Sequence, residues 1–296
     1  MILVIVGPTA VGKTKLSVEL AKIYNGEIIN ADSTQVYKGL DVGTAKVTKE
    51  EMQHIPHHLF SFKELTEDYS VYDYQKDARA YIEEIKSRGK IPILVGGTGF
   101  YIKAALYDYK FQEEAESEVN LYEGYSDEQL VQEIERYELG IPFDSHNRKR
   151  IIRLLTKLEQ GWVPEEKNFA LQYSDVLFLG LTTDREVLYQ KINDRFDKMV
   201  IPLIDEIKPF MIQQVSSRAL KTAIGYKEFY PFFEDKKTLH DVIEEIKKNT
   251  RNYAKRQYTW FQNQMQVTWF SVNYDNFEKT IDEVCVYVEK HLNDVM

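Results

Sequence analysis

Residues 1–14 constrain the fold more than any other stretch of the chain. Met1 to Val6 is an almost purely apolar, β-branched run, the pattern of a strand buried on both faces. It leads into Gly7-Pro8-Thr9-Ala10-Val11-Gly12-Lys13-Thr14, which meets G-x-x-x-x-G-K-[ST] at every fixed position. Lys15 to Tyr24 then carries Leu16, Val18, Leu20, Ala21 and Ile23 at mixed helical spacing. Strand, glycine-bounded loop and helix in that order are the context the motif needs.

The loop has a specific chemistry. Gly7 and Gly12 permit backbone conformations and close approach that a Cβ would block. The loop amides can then point inward as an anion nest at a helix N-terminus. Lys13 adds a mobile charge for the terminal phosphates, and the Thr14 hydroxyl is placed to ligate Mg²⁺. The stretch is expected to bind a polyphosphate or diphosphate.

Composition narrows the class. The 43% apolar and 29% charged residues are those of a soluble globular protein, and no run approaches the ~20 apolar residues of a membrane span. The opening apolar run passes straight into the phosphate loop, so no signal peptide is expected. The single cysteine, Cys285, fits a reducing cytoplasm, and its spacing with Ile281, Val284, Val288 and Leu292 predicts a buried thiol. A net charge of −9 argues against a generally basic nucleic-acid binder, yet 148–153 and 247–256 hold basic residues and no acidic ones.

Along the chain, Glu27 to Asn30 reads as a second strand, ending in the polar loop Ala31 to Lys46. In a doubly wound sheet the carboxyl ends of strands form the ligand crevice, so Asp32 and Ser33 would face the phosphate loop. Asp32 could ligate Mg²⁺ through water, act as a general base, or cap a turn. His54 to Phe62 holds three histidines with no nearby cysteine and no H-E-x-x-H arrangement, which suggests a polar loop over the site. Tyr72 to Arg88 has amphipathic helical spacing, and the strand Ile91 to Val95 runs into Gly96-Gly97-Thr98-Gly99, a second glycine-rich turn. Residues 108–145 turn acidic and poor in branched apolar residues, a small helical insertion in which Ser126 and Gln129 fit a capping box.

His146 to Gly161 predicts a helix with Arg148, Lys149, Arg150 and Arg153 mostly outward. Val176 to Leu181 is a fourth strand, followed by a helix from Asp184 to Val200 and another from Leu203 to Val215. The long helix Leu239 to Phe261 places Lys248, Arg251 and Lys255 on one face, interleaved with Tyr253, Tyr258 and Trp260. Cations with aromatics suit single-stranded RNA; a solvated basic helix is the alternative. Val267 to Val272 and Asn276 to Leu292 supply a last strand and a closing helix.

Together, GPTAVGKT at 7–14, ADSTQVYKGLDVGTAK at 31–46, HHL at 57–59, PILVGGTGFY at 92–101, NRKRIIR at 147–153, AIGYKEF at 223–229 and TRNYAKRQYTWF at 250–261 resemble the tRNA dimethylallyltransferase (isopentenyl transferase) family. The segments follow family order and span nearly the whole chain. The resemblance implies an α/β fold with a P-loop NTPase-like parallel sheet flanked by helices. The catalytic core would take 1–107 and 146–296, and the helical insertion 108–145. It also implies transfer of a dimethylallyl group from its diphosphate to N6 of the adenosine 3′ of the anticodon, in tRNAs reading codons that begin with U.

By the same resemblance Asp32 is the base, the loop Gly7 to Thr14 holds the leaving diphosphate with Thr98 and Arg195, and Thr14 ligates Mg²⁺. Contacts to the tRNA anticodon stem-loop would come from Asp32, Ser33, Thr34 and Gln35; from Asn147, Arg148, Lys149, Arg150 and Ile151; and from Lys221, Gly225, Tyr226, Arg251, Lys255 and Arg256. Two departures stand out: 107–147 is shorter than the family's insertion, and Met199 to Ile204 lacks an expected glycine. Neither touches the chemistry, but the insertion's tRNA contacts are not carried over. A P-loop small-molecule kinase is the second reading, and a noncatalytic RNA-binding switch the third. No exposed apolar repeat suggests an interface, so a monomer is expected.

Overall fold

The computed structural model describes residues 1–111, 122, 124–140, 143–161 and 170–295; the rest of the expected 108–145 insertion lies outside the described residues. The apolar opening run forms β1 (Ile2–Val6), every residue buried: parallel partners on each side take up its backbone, and apolar clusters cover both faces. It is followed by α1 (Lys13–Ile23), β2 (Gly26–Asn30), a short α2 (Lys49–Met52), β3 (His57–His58), α3 (Val71–Ser87), β4 (Ile91–Val95) and α4 (Gly99–Leu106). After α5 (Asp127–Glu135) and α6 (Arg148–Glu159) come β5 (Val176–Thr182), α7 (Arg185–Ile212), α8 (Arg218–Thr222), α9 (Tyr230–Phe233), α10 (Leu239–Gln264), β6 (Thr268–Ser271) and α11 (Phe277–Val295).

The sheet is parallel throughout, in the order β3-β2-β4-β1-β5-β6. Alternation along β1 divides the core between its two faces. Leu3 and Ile5 pack with Leu16, Leu20 and Val284 on one side. Ile2, Val4 and Val6 pack with Tyr74, Ala78 and Ile82 on the other. A third cluster joins Val36 and Leu40 to Phe196, Val200, Leu203, Tyr226 and Ile246.

Two compact units emerge, Met1–Asp108 with Leu171–Met296, and Tyr109–Ala170. The smaller includes α5, whose Ser126 and Gln129 form the expected capping box, and also α6. Ile151, Leu155 and Leu158 of α6 close on Leu130 and Ile134 of α5, which draws that helix into the smaller unit.

Three details differ from the sequence expectations. The two helices expected between 184 and 215 are one, α7, which runs through Pro202 and Pro209. A proline inside a helix costs ~3 kcal/mol, but buried Leu188, Ile192, Phe196, Val200, Leu203 and Ile207 form an unbroken stripe whose packing outweighs it. His57 and His58 do not overlie the crevice: they form β3, and His58 binds Glu27 near the start of β2 (2.8 Å). Cys285 is half-buried rather than buried. No described helix is long and apolar enough to cross a membrane.

Candidate active site

β2, β4 and β1 lie side by side, so the loops leaving their carboxyl ends meet. From β1, the phosphate loop turns through Gly7 and Gly12 at φ 143° and 106°. Lys13 opens α1, and its Nζ donates to the carbonyls of Gly7 (3.0 Å) and Pro8 (2.8 Å). Burial pushes the Lys13 ammonium down to about 8; the Asp32 carboxylate works against this and the Arg195 guanidinium with it. Thr14 follows Lys13 in α1, exposed, and its hydroxyl makes no hydrogen bond among the described residues. Arg195 reaches in from α7 and donates to Thr9 Oγ1 (2.9 Å). Desolvation lowers the Arg195 pKa, and Asp32 opposes the shift.

Asp32, two residues beyond β2, is held by a local frame. Asn30 accepts from the Asp32 amide (2.9 Å) and donates to the carbonyls of Asp32 and Leu59 (both 3.0 Å). Asp32 Oδ1 accepts from the Thr34 amide (3.0 Å) and hydroxyl (2.7 Å), while Oδ2 takes no hydrogen bond among the described residues. Thr98, at the turn after β4, accepts from the Ser33 amide (3.0 Å) and ties that turn to the Asp32 loop. Gln35 donates to the Thr44 carbonyl (3.0 Å).

Thr9, Asp32, Arg195 and Gly225 border one cavity of about 350 Å³. Ile192, Phe196 and Met199 of α7 and Ile246 of α10 supply apolar wall. Tyr253 lines it too; burial raises its pKa well above the usual phenol value, with Asp32 adding to the rise. Opposite, Glu206 of α7 accepts from the amides of Asp41 (2.9 Å), Val42 (2.8 Å) and Gly43 (3.3 Å) and from the Tyr226 hydroxyl (2.5 Å). This holds the loop whose Gly43 and Thr44 line the cavity.

The expected RNA contacts divide by exposure. Lys255 and Arg256 are exposed on α10 beside an open groove of about 580 Å³ that also touches Asn252, Thr259 and Trp260. Lys221 is exposed as well, whereas Arg251 is half-buried and donates to Asn193 (2.8 Å). In the smaller unit Asn147 caps α6, Lys149 is exposed, and Arg148 and Arg150 pair with Asp127 and Asp144. Ile151 and Tyr226 are wholly buried, so their side chains cannot meet a nucleic acid directly: Ile151 fills a helix interface and Tyr226 buttresses Glu206.

The aromatics of α10 also depart from the stacking expected of them. Tyr258 packs on Trp269 (4.8 Å), and Trp260 lies against Phe261 (5.3 Å) and over Gly99, where a Cβ would come within 2.1 Å of its ring. Tyr253 turns into the cavity. Sequence reasoning missed Glu206 and Gln257, because a lone polar residue inside a helix leaves no periodic trace. For Gln257 the neighbouring run of charged and aromatic residues was the available signal.

A family model described as IPP transferase matches residues 35–264. A tRNA dimethylallyltransferase of Anoxybacillus flavithermus is 44% identical over 300 residues, covering 97% of this chain and 96% of that protein. A full-length tRNA isopentenylpyrophosphate transferase from Bacillus halodurans superposes with a TM-score of 0.76 at 39% identity, covering 99% and 97% of the two chains. A eukaryotic dimethylallyltransferase acting on tRNA gives 0.84 at 28% identity, covering 99% of this chain and 79% of that one.

Proposed function

The chain belongs to the IPP transferase family, and on that premise we propose that it moves a dimethylallyl group from dimethylallyl diphosphate to N6 of the adenosine immediately 3′ of the anticodon, in tRNAs reading codons that begin with U. The observation that carries the reading is the meeting of Thr9, Asp32 and Arg195 at one cavity with an apolar wall. That wall suits a short branched alkyl chain, and the loop beneath it suits its diphosphate.

An exocyclic amine is a poor nucleophile because its lone pair is delocalised into the adenine ring. Asp32 answers this with one oxygen fixed by Thr34 and the other open to accept the N6 proton. As the N6–carbon bond forms, the carbon–oxygen bond to the diphosphate breaks and its electron pair leaves with the diphosphate. In this reading Lys13, Arg195, Thr98 and the loop amides take up that charge, the role in which preorganised donors act most strongly. Thr14 would hold a Mg²⁺, and the ion would supply charge neutralisation to the leaving group. An unpartnered hydroxyl beside the anion nest fits that ion.

The target base must leave its stack to reach the cavity. Asp32, Ser33 and Thr34 line the cavity, and Asn147, Lys149, Lys221, Lys255 and Arg256 offer exposed donors for the anticodon stem-loop. We place the protein in the cytoplasm as a monomer. The test incubates it with Mg²⁺, labelled dimethylallyl diphosphate and unmodified tRNA, with ATP and small acceptors in a parallel tube. Label at the adenosine beside the anticodon supports the transferase; ATP turnover without label returns the chain to the kinases.

A further inference from the structure

One buried side chain joins the two glycine-rich loops. Gln257 of α10 is 5% exposed, and its amide is used at both ends. Oε1 accepts from the backbone amide of Thr9 in the phosphate loop (2.9 Å), and Nε2 donates to the carbonyl of Gly97 in the turn after β4 (3.1 Å). The fit is tight: a Cβ on Gly97 would lie 1.9 Å from Gln257 Nε2. The contact spans 248 positions of sequence on one side and 160 on the other, so no local propensity produces it.

Thr9 is the residue whose hydroxyl receives Arg195, and Thr98, next to Gly97, carries the hydroxyl that orders Ser33 beside Asp32. The Thr9 amide is committed to Gln257 and is therefore not among the amides left for an anion. We propose that Gln257 is a positioning residue for diphosphate: it sets the phosphate loop at a fixed height against the Gly96–Gly99 turn, so that Thr9, Arg195 and Thr98 address one ligand. The proposal rests on the transferase reading for its choice of ligand. Its physical basis is that a buried amide deprived of its acceptor leaves that arrangement for another.

Two substitutions test it, read by calorimetric affinity for inorganic diphosphate and for dimethylallyl diphosphate, both with Mg²⁺. Gln257→Met keeps the length and loses both hydrogen bonds. It should weaken both ligands about ten-fold or more, while affinity for an anticodon stem-loop RNA stays within about two-fold. Gln257→Glu adds a pH readout. Protonated, the introduced carboxyl can accept from Thr9 and donate to Gly97; ionised, it faces the Gly97 carbonyl with a lone pair.

Burial raises the pKa of such a group, so the deficit of Gln257→Glu relative to wild type should shrink as pH falls from about 8 toward 5.5. Unchanged diphosphate affinity in Gln257→Met would overturn the proposal, as would a Gln257→Glu deficit that ignores pH. Equal losses of diphosphate and RNA affinity would do the same, by reducing Gln257 to general structure. If wild-type protein bound dimethylallyl diphosphate no better than inorganic diphosphate, the transferase reading would fall. The Gln257 result on inorganic diphosphate would stand apart from it.

Discussion

Lys13 ties the chemistry of the phosphate loop to pH within an accessible range. Burial brings its ammonium to about 8, so it gives up its proton near the working pH of the site. If only the ammonium form grips the diphosphate, the protonated fraction sets the affinity of the free enzyme. With a pKa of about 8 that fraction is about nine-tenths at pH 7 and about one-tenth at pH 9. Affinity for dimethylallyl diphosphate, and kcat/KM with it, should therefore fall about ten-fold across those two units. The assay is calorimetric titration from pH 7 to 9.5 at fixed Mg²⁺ and ionic strength. Lys13→Ala run in parallel separates the lysine from ionisation of the ligand: it should bind weakly and lose the inflection. Because the Asp32 carboxylate raises the Lys13 pKa, Asp32→Asn should move the inflection to lower pH. Wild-type affinity that stays flat from pH 7 to 9, or an inflection that survives in Lys13→Ala, would refute the reasoning.

Asp32→Asn should also lower the rate of transfer by about 10²–10⁴ with tRNA affinity within several fold, since the amide keeps an acceptor for Thr34; a full single-turnover rate would remove Asp32 from the role of base. Lys255→Ala with Arg256→Ala should weaken tRNA binding and flatten its dependence on salt, and an unchanged salt slope would reduce both to a solvated face. Glu27 makes a stability prediction. Burial opposes its ionisation, but hydrogen bonds from Lys90, His58 and Arg88 overcome this and bring it from 4.5 down to about 2. A depressed carboxylate contributes stability that is complete above its unfolded pKa and is lost as pH falls from about 4.5 through about 2. The shift corresponds to ~3 kcal/mol, so Glu27→Gln should cost about that much at pH 7 in urea unfolding. Over pH 5 to 2 its stability should fall less steeply than that of wild type.

Much of the molecule was legible because its signals are periodic. Ile2 to Val6 and Ile91 to Val95 announce themselves as buried strands, α3 shows its apolar face at Tyr74, Ala78, Ile82 and Ile85, and Ser126 marks the start of α5. The two residues of β3 were too short for any pattern. At α7 the eye stops at Pro202, although the apolar spacing from Leu188 to Ile207 runs on without a break. The loops bearing Asp32, Thr98 and Lys13 could be placed from strand order. What could not be read is which side chains bridge them, since Gln257 with Thr9, and Glu206 with the loop 41–43, are long-range polar contacts that repeat nowhere. The aromatics of α10 misled for a related reason: an indole or phenol has the same composition whether it stacks on a base or on Trp269.

The continuity of α7 has a consequence for how such a chain can change its length over evolutionary time. Arg195, at the phosphate loop, and Glu206, which grips the loop 41–43, stand on the same uninterrupted helix. At 1.5 Å of rise per residue their separation is fixed at about 16 Å, and each added or removed residue would swing one about 100° relative to the other. No substitution elsewhere could restore both grips after such a slip. A change of length inside 195–206 therefore breaks one grip or the other, whereas length variation in the loop 234–238, before α10, leaves both contacts intact.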